Sequence, residues 1–192
     1  ASRRKTQQRL REAAGAEFAE NGYANATVIR IAARAGVTVQ TLYLAWGSKR
    51  ALLRAYMNST LESNTGPHDQ VGDRFAGMSP REVLEAVAAL VGTVAGRSAI
   101  GWKLYRDAAA TDPEIAEDWA ELQRLRRGTF AAILRNIPVS ALRSDLTPES
   151  AIDTAWAIAS PDLYELLVHH ASYSPDEFES WVAATLTATL LA

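Results

Sequence analysis

Apolar residues recur three or four positions apart along nearly the whole chain, and no segment keeps a period of two. This pattern predicts an all-α protein. Leu10, Ala14 and Phe18 stand four apart on a first helix. We expect that helix to end near Asn21 and Gly22, because glycine readily adopts the left-handed conformation that closes a helix.

Two short helices joined by a glycine are predicted next. Thr27 can cap the first of them, whose buried face is expected to contain Val28, Ile31, Ala32 and Ala35. Gly36 ends it, Thr38 can cap a very short helix with Leu42 turned inward, and Ser48 can cap a fourth helix that carries Leu52, Leu53 and Tyr56. Two short helices with a glycine turn are typical of a helix-turn-helix.

The rest of the chain is predicted to be a helical body that follows a loop. Residues 65–80, TGPHDQVGDRFAGMSP, are rich in glycine and polar residues and indicate a loop or domain boundary. Four helix starts are marked by a capping residue followed by proline: Ser79-Pro80, Asp112-Pro113, Thr147-Pro148 and Ser174-Pro175, with Glu82 and Glu177 completing two capping boxes. We expect helices near 80–96, 99–110, 113–136, 148–171 and 175–191, with Pro161 breaking the fourth because it crowds the carbonyl of Ala157.

Composition narrows the class of protein. The chain of 192 residues contains no cysteine, so disulfides and thiolate metal sites are excluded and a cytoplasmic location is the default expectation. The basic opening ASRRKTQQRL leads into no apolar signal core, and WVAATLTATLLA is too short and too rich in threonine to span a bilayer. We therefore expect a soluble protein without a membrane partner.

The net charge of −2 conceals an asymmetry. Residues 1–64 carry ten basic and four acidic side chains, a net charge of +6, whereas residues 66–192 carry ten basic and 18 acidic ones, a net charge of −8. A basic end on an acidic body suits a module that binds a polyanion. A solvated basic face would give the same count.

The segment REAAGAEFAENGYANATVIRIAARAGVTVQTLYLAWGSKRALLRAYM resembles the N-terminal DNA-binding domain of the tetracycline-repressor (TetR) family. The resemblance runs from the first-helix phenylalanine and the NGY turn through IAARAGVT, TLY and GSKRALL. It implies a domain at 1–57, a three-helix helix-turn-helix that binds DNA, and a helical ligand-binding and dimerisation domain at 58–192, with about nine helices in all. The family's usual activity is repression of transcription, released by a small apolar or aromatic ligand. The alternative is a DNA-binding protein of the same fold that responds to no ligand.

The second helix of a helix-turn-helix places its N-terminal residues at base edges in the major groove. Those residues are Thr38, Val39, Gln40 and Thr41 here. Gln40 can pair with adenine through two hydrogen bonds, and valine or threonine methyl groups can contact the methyl of thymine. We therefore expect A·T pairs near the centre of each half-site.

Contacts to phosphate are expected from Tyr43 and Lys49, which resemble the family's phosphate-binding positions, and from Thr27 at the start of a helix. Thr27 and Thr38 could instead serve only as caps, and Tyr43 could only pack its ring. The chain departs from the family pattern at Ala45, where histidine is common, and at Trp46, where phenylalanine is usual. Trp46 is expected to fill the phenylalanine's place in the core and to need a partner for its indole N–H.

A homodimer that reads a near-palindromic operator is expected, because one small module binds too little DNA surface. The resemblance implies that the last two helices form the dimer surface. The apolar residues available there are Ile152, Ala155, Trp156, Ala159, Leu163, Leu166, Leu167, Phe178, Val182, Leu186 and Leu190. Packing inside one subunit would give much the same pattern.

An effector site is expected in the body, where aromatic residues recur at helical spacing. Its predicted residues are Trp102, Tyr105, Trp119, Phe130, Trp156, Tyr164 and His169. Aromatic stripes of this kind more often form core, so this alternative stays open.

Catalysis is not expected. Histidine occurs at three positions, 68, 169 and 170, and Glu165 with His169 would offer a metal two ligands, fewer than a stable site needs. There is no phosphate-binding glycine motif and no nucleophile elbow. The sequence therefore predicts a protein that needs no cofactor or metal.

Overall fold

The computed structural model describes residues 2–65 and 70–192, and this part of the chain is helical almost throughout. The helices are α1 (Ser2–Asn25), α2 (Val28–Arg34), α3 (Val39–Trp46), α4 (Lys49–Thr65), α5 (Pro80–Ala109), α6 (Pro113–Leu134), α7 (Pro148–Ile158), α8 (Pro161–Tyr164) and α9 (Pro175–Leu190). A π-helix over Glu165–His170 continues α8, and short 3-10 helices cover Val71–Phe75 and Val139–Ala141. Within the described ranges no strand forms, and the extended pairing found is an isolated bridge between Leu142 and Leu191. The all-α prediction is confirmed.

The chain divides into two compact units. The first unit consists of Ala1–Leu61 with Ile100–Trp119, and the second of Glu62–Ala99 with Ala120–Ala192. Both α5 and α6 begin in one unit and continue along the chain into the other. The division by role at residues 57 and 58 remains a prediction.

Local caps define the helix-turn-helix of the first unit. The hydroxyl of Thr27 accepts a hydrogen bond from the Arg30 amide at 3.2 Å, and that of Thr38 accepts one from the Thr41 amide at 3.1 Å. Ser48 accepts from the Ala51 amide at 3.0 Å in the same way. These contacts satisfy amides that a helix start leaves without a partner, so all three predicted caps are confirmed.

The core of the first unit follows the predicted apolar positions. Leu10, Ala14, Phe18, Ile31 and Leu42 are fully buried, whereas Val28 is only half-buried. The predicted interruption at Asn21 and Gly22 is confirmed. Gly22 has a positive φ of 69° and a ψ of 167°, which are not helical, so the regular helix stops there and a short helical segment follows to Asn25.

The second unit is organised around α9. Phe178, Val182, Leu186 and Leu190 are completely buried there. They pack with residues of α5, α6 and α7, including Val83, Leu84, Ile133 and Ala155. Both predicted capping boxes form, since the backbone amides of Ser79 and Ser174 each donate a hydrogen bond to the glutamate carboxylate three positions on. This core removes those four α9 residues from the predicted dimer surface, because their face of α9 is occupied within its own chain, while a dimer through the last two helices remains a prediction.

Two further predictions of helix bounds need correction. The two helices predicted at 80–96 and 99–110 form one continuous helix, α5. Ser98, which lies between the two predicted ranges, is helical, and its hydroxyl donates to the Val94 carbonyl at 2.6 Å. Within the predicted loop at 65–80, Val71–Phe75 form a 3-10 turn with Val71 and Phe75 buried. Residues 66–69 of that loop, including His68, lie outside the described residues. The predicted break at Pro161 is confirmed, since α7 ends at Ile158 and Ser160 caps α8.

α5 is long and apolar enough to cross a bilayer by length and composition alone. The core helix of a soluble protein passes the same test. Val83, Leu84, Val87 and Ala88 of α5 are fully buried in the core of the second unit. α5, rather than WVAATLTATLLA, is the segment of the described chain that meets the length and composition of a bilayer span.

Candidate nucleic-acid interface and effector site

The outward face of α3 consists of three side chains. Gln40 is exposed, Tyr43 is 49% exposed and Leu44 is 76% exposed, while Leu42 on the opposite face is completely buried. Among the described residues no group hydrogen-bonds to the Gln40 amide, so both its donor and its acceptor are available to a ligand. Sequence reasoning missed Leu44, although positions 40, 43 and 44 share one face of a helix.

The other predicted base readers are more constrained than Gln40. The Thr38 and Thr41 hydroxyls lie 2.9 Å apart and share a hydrogen bond, and the Thr38 hydroxyl also caps α3. Val39 and Thr41 are half-buried. Gln40 is therefore the predicted base reader whose polar group is both exposed and uncommitted.

Trp46 anchors the end of α3 to α1. Its indole N–H donates to the backbone carbonyl of Gln7 at 3.3 Å, and the side-chain amide of Gln7 donates to the backbone carbonyl of Ala45 at 3.3 Å. The expected partner of the indole therefore exists. This reciprocal pair fixes the orientation of α3 on α1 at the position where the family usually carries phenylalanine.

Lys49 and Thr27, predicted to contact phosphate, also have structural roles. The Lys49 ammonium donates to the Tyr23 carbonyl at 2.8 Å and to the Ala26 carbonyl at 3.0 Å, and it lies 4.3 Å from the centre of the Tyr23 ring. Burial lowers the pKa of Lys49, and an ammonium has three N–H donors, of which two are committed here. One donor is left for a phosphate. Thr27 is exposed and caps α2.

The positive charge of the first unit is distributed unevenly. Arg3, Arg4 and Lys5 are exposed in the first turns of α1 and pair with no carboxylate among the described residues. Several other basic groups are neutralised within the unit, in the pairs Arg30–Glu17, Arg34–Glu20 and Arg50–Asp118. The freely available charge therefore lies at the start of α1, which a count along the sequence could not show.

Arg50 of α4 and Asp118 of α6 form the strongest of these pairs. Arg50 Nε donates to Asp118 Oδ2 and Nη2 donates to Oδ1, both at 2.8 Å, in bidentate geometry. Asp118 is only 8% exposed, and its hydrogen bonds from Arg50 hold the pKa of its carboxyl below the ordinary value. Glu114 adds a contact to Arg50 at 3.1 Å. The pair joins α4, which follows α3, to the start of α6.

Three of the predicted effector residues lie in the first unit. Trp102 and Tyr105 of α5 are buried, and Trp119 of α6 is half-buried. The Trp102 and Trp119 rings meet edge to face with centroids 5.6 Å apart. Burial raises the pKa of Tyr105, so its hydroxyl stays protonated and acts as a polar group without charge.

The other four predicted effector residues lie in the second unit. Phe130 of α6 is buried and Trp156 of α7 is half-buried. Tyr164 is buried with its ring 4.9 Å from that of Phe178. His169 lies on the π-helix and is exposed, with its ring 5.8 Å from Tyr164.

A half-buried arginine, Arg126, lies between Phe130 and Trp156. Arg126 Nη2 donates to the Trp156 carbonyl at 2.6 Å and to the Ala159 carbonyl at 2.7 Å, at the end of α7. Its guanidinium carbon lies 5.3 Å from the Phe130 ring centre and 5.7 Å from that of Trp156. Burial lowers the pKa of Arg126 to about 10, so the group is still charged at neutral pH. Sequence reasoning missed it because the contact spans 30 residues.

Two buried polar side-chain atoms of the second unit have no hydrogen-bond partner in the described part of the chain. They are Gln123 Oε1 and Trp156 Nε1. Gln123, Arg126 and Phe130 occupy positions i, i+3 and i+7 of α6 and so share one face. We call Gln123, Arg126, Phe130 and Trp156 the Arg126 cluster.

Ligands for a metal ion do not cluster in the ranges 2–65 and 70–192, where no group of three or more histidine and carboxylate side chains is found. Glu165 and His169 lie on the π-helix rather than on a regular α-helix.

Comparison with known proteins gives a family match for part of the chain and a fold for the whole. Residues 10–56 match the family described as bacterial regulatory proteins, tetR family. Among curated proteins, none is a significant sequence match.

Solved structures resemble the chain over nearly its whole length. NalD, the secondary repressor of the MexAB-OprM multidrug efflux pump in Pseudomonas aeruginosa, is 18% identical with a TM-score of 0.75, and the match covers 98% of this chain and 96% of NalD. SmeT in complex with triclosan is 20% identical with a TM-score of 0.74, covering 97% of this chain and 92% of SmeT. The MbdR regulator of Azoarcus sp. CIB is 17% identical with a TM-score of 0.73, covering 97% of this chain and all of MbdR.

The TM-scores of these structures establish the fold. The family match adds that the helix-turn-helix segment is similar in sequence to that of the tetR family. Residues 10–56 therefore carry a segment similar to the bacterial regulatory proteins of the tetR family, and the chain shares the fold of NalD, SmeT and MbdR.

Proposed function

We propose that this regulator binds a specific DNA sequence and represses transcription from it. The observation that carries the proposal is the outward face of α3, where Gln40 has an exposed amide without a hydrogen-bond partner in the described structure. An amide in that position matches the donor and acceptor of adenine in the major groove. The uncommitted charge of Arg3, Arg4 and Lys5 supplies attraction to phosphate.

The remaining contacts are assigned by position. Thr38, Val39 and Thr41 flank Gln40 and present methyl groups to thymine. Tyr43 and the third N–H of Lys49 face phosphate, and Thr27 adds its hydroxyl at the start of α2. Leu44 extends the apolar part of this surface because it is the most exposed large apolar side chain of α3.

The regulator acts as a homodimer on a near-palindromic operator. The apolar face of α9 is committed to its own core, so the dimer contact uses the opposite face, where Ser180, Ala184 and Ala188 are exposed and Trp181 is half-exposed. Small residues allow two helices to approach closely. Leu166, 54% exposed on the neighbouring π-helix, extends that surface.

A small apolar or aromatic effector releases the DNA. The structural relative SmeT is solved as a complex with triclosan, an observation on that protein which motivates the same class of ligand here. The described aromatic residues Phe130, Trp156 and Tyr164 supply apolar surface in the second unit. α6 carries both Phe130 and Asp118, so a shift of this helix on effector binding would strain the Arg50–Asp118 pair that holds α4.

We also propose that the chain acts by binding alone, without catalysis or a cofactor, in the cytoplasm where an operator is accessible. The competing candidate is a DNA-binding protein of the same fold that is indifferent to small molecules.

Selection of bound duplexes from a random pool tests the proposal. The purified chain should enrich a near-palindrome, and a subset of apolar and aromatic compounds should release the selected duplex. Enrichment without release by any compound would favour the ligand-independent candidate. No enrichment even at low salt would overturn the proposal.

A further inference from the structure

We propose that the Arg126 cluster binds the carboxylate of an aromatic acid that also carries a hydroxyl or amino donor, and that this acid is the effector. The inference rests on the proposed function and specifies its ligand class. It assigns a charged anchor to a site for which the aromatic residues alone indicate only an apolar ligand.

The charge balance of the cluster is the first support. Arg126 is half-buried and charged, and among the described residues no carboxylate lies within ion-pair distance of its guanidinium. Asp162 supplies a longer-range electrostatic attraction, and Arg126 Nη2 donates to two backbone carbonyls. Partial removal of a guanidinium from water without an ionic partner is costly, and an anion that enters the site relieves that cost.

The two unsatisfied atoms are the second, independent support. The Trp156 indole N–H is a donor, and Gln123 Oε1 is an acceptor, and both are buried without a partner. A buried donor or acceptor that lacks a partner has lost its hydrogen bond to water without replacement, which is unfavourable. A carboxylate accepts from both Arg126 and the indole N–H, whereas the acceptor of Gln123 requires a donor elsewhere on the ligand.

The rings define the apolar part of the ligand. Phe130 and Trp156 both lie against the Arg126 guanidinium, at 5.3 Å and 5.7 Å. A planar ring attached to the carboxylate can pack against these aromatic side chains while its acid group faces the arginine. A cationic ligand is disfavoured because Arg126 repels it, and a purely apolar ligand leaves Gln123 Oε1 and Trp156 Nε1 without partners and Arg126 without an ionic partner.

Calorimetric titration of the full chain, without DNA, tests the proposal. The probes are the hydroxybenzoate isomers, each compared with the corresponding neutral hydroxybenzamide. We expect at least one hydroxybenzoate to bind more tightly than its amide by about tenfold or more, which corresponds to one charge-assisted hydrogen bond. Equal binding of acid and amide, or no binding of any hydroxybenzoate, would overturn the proposal.

Three variants locate the binding energy. Arg126→Met should abolish the preference for the acid, and Trp156→Phe, which keeps a ring but lacks the N–H, should reduce it. Arg124→Met is the matched control, because Arg124 lies on the same helix with a side chain that is 76% exposed, and it should bind as the original chain does. If Arg126→Met fails to fold, Trp156→Phe decides. A preference unchanged in Trp156→Phe, or retained in a folded Arg126→Met, would contradict the assignment.

The DNA measurement is separate. A chain that selects a duplex but does not prefer the acid disproves the ligand class and leaves the proposed function intact. A chain that prefers the acid but selects no duplex supports the cluster and disproves the regulatory role.

Discussion

Arg50 Nε and Nη2 each lie 2.8 Å from an oxygen of Asp118. Two parallel hydrogen bonds therefore join α4, the helix that follows α3, to the first turns of α6. Arg50 is 26% exposed at its side chain and Asp118 only 9%. Such partly buried bidentate pairs are geometrically specific. The pair therefore sets the position of α4 relative to α6 within the first unit.

Replacing Asp118 with asparagine should weaken this tie. The amide can accept from only one guanidinium nitrogen and carries no charge, so we expect a loss of about 1 to 3 kcal/mol in the free energy of unfolding. DNA binding by the variant should also respond less to the effector. Denaturant unfolding and DNA titration with and without effector measure both. Asp107→Asn is the control, since its pair with Lys103 is exposed at both ends and should contribute little.

The same pair predicts a dependence of stability on acid. Arg50 holds the pKa of Asp118 below its ordinary value in the folded chain, so the unfolded state binds this proton more readily. The stabilisation is therefore fully present above the ordinary aspartate pKa of about 3.9 and is lost as pH falls from there through the lowered value. Unfolding free energies measured between neutral pH and acid should fall more steeply for the original chain than for Asp118→Asn. Parallel curves would show that Asp118 does not contribute.

Lys49→Ala separates a DNA contact from a structural one. The Tyr23 and Ala26 carbonyls lose their ammonium donor, so we expect a loss of about 1 to 2 kcal/mol in unfolding free energy. If Lys49 also reaches a phosphate, the variant binds every duplex more weakly and its salt dependence flattens by about one unit of slope.

Arg4→Ala is the companion variant for Lys49→Ala. Arg4 is exposed and has no ion pair in the described structure, so this change should flatten the salt dependence without altering the unfolding free energy. A salt dependence unchanged in Lys49→Ala but flattened in Arg4→Ala would assign Lys49 a structural role only.

Ala184→Arg tests the revised dimer surface. Ala184 is exposed on α9, opposite the buried Phe178, Val182 and Leu186, so an arginine fits the single chain but blocks close approach of a second helix. Sedimentation should show a shift from dimer to monomer, with helical content unchanged. Ser140→Arg, at an exposed position between α6 and α7, should remain a dimer. A dimeric Ala184→Arg would place the interface elsewhere.

The parts of this fold that the sequence predicted are those determined locally. Thr27, Thr38 and Ser48 cap helices through amides three residues away, so their spacing alone was sufficient. Pro161 broke its helix for the same local reason. The predicted division of α5 between residues 96 and 99 does not occur, and the Ser98 hydroxyl donates to the Val94 carbonyl within the continuous helix.

Features that depend on distant residues could not be read in the same way. The helical spacing of apolar residues showed which face of α9 is buried. That spacing could not distinguish burial within the same chain from burial against a partner chain. The Arg126 contact joins residues 30 and 33 positions apart, and the Arg50 contact joins residues 68 apart. Charge counting overestimated the positive charge of the first unit, because Asp118, which pairs with Arg50, was counted with the acidic body although it lies in that unit.

The most direct test of the central claim is duplex selection from a random pool, carried out in parallel with the original chain and with Gln40→Ala. We expect the original chain to enrich a near-palindrome that contains an adenine at one position of each half-site. The variant should keep the rest of the site but lose the preference at that position, at a cost of about 1 to 3 kcal/mol for the adenine-containing duplex. An identical site selected by both proteins would contradict the assignment of Gln40 to the bases, and no site selected by either would contradict DNA recognition through α3.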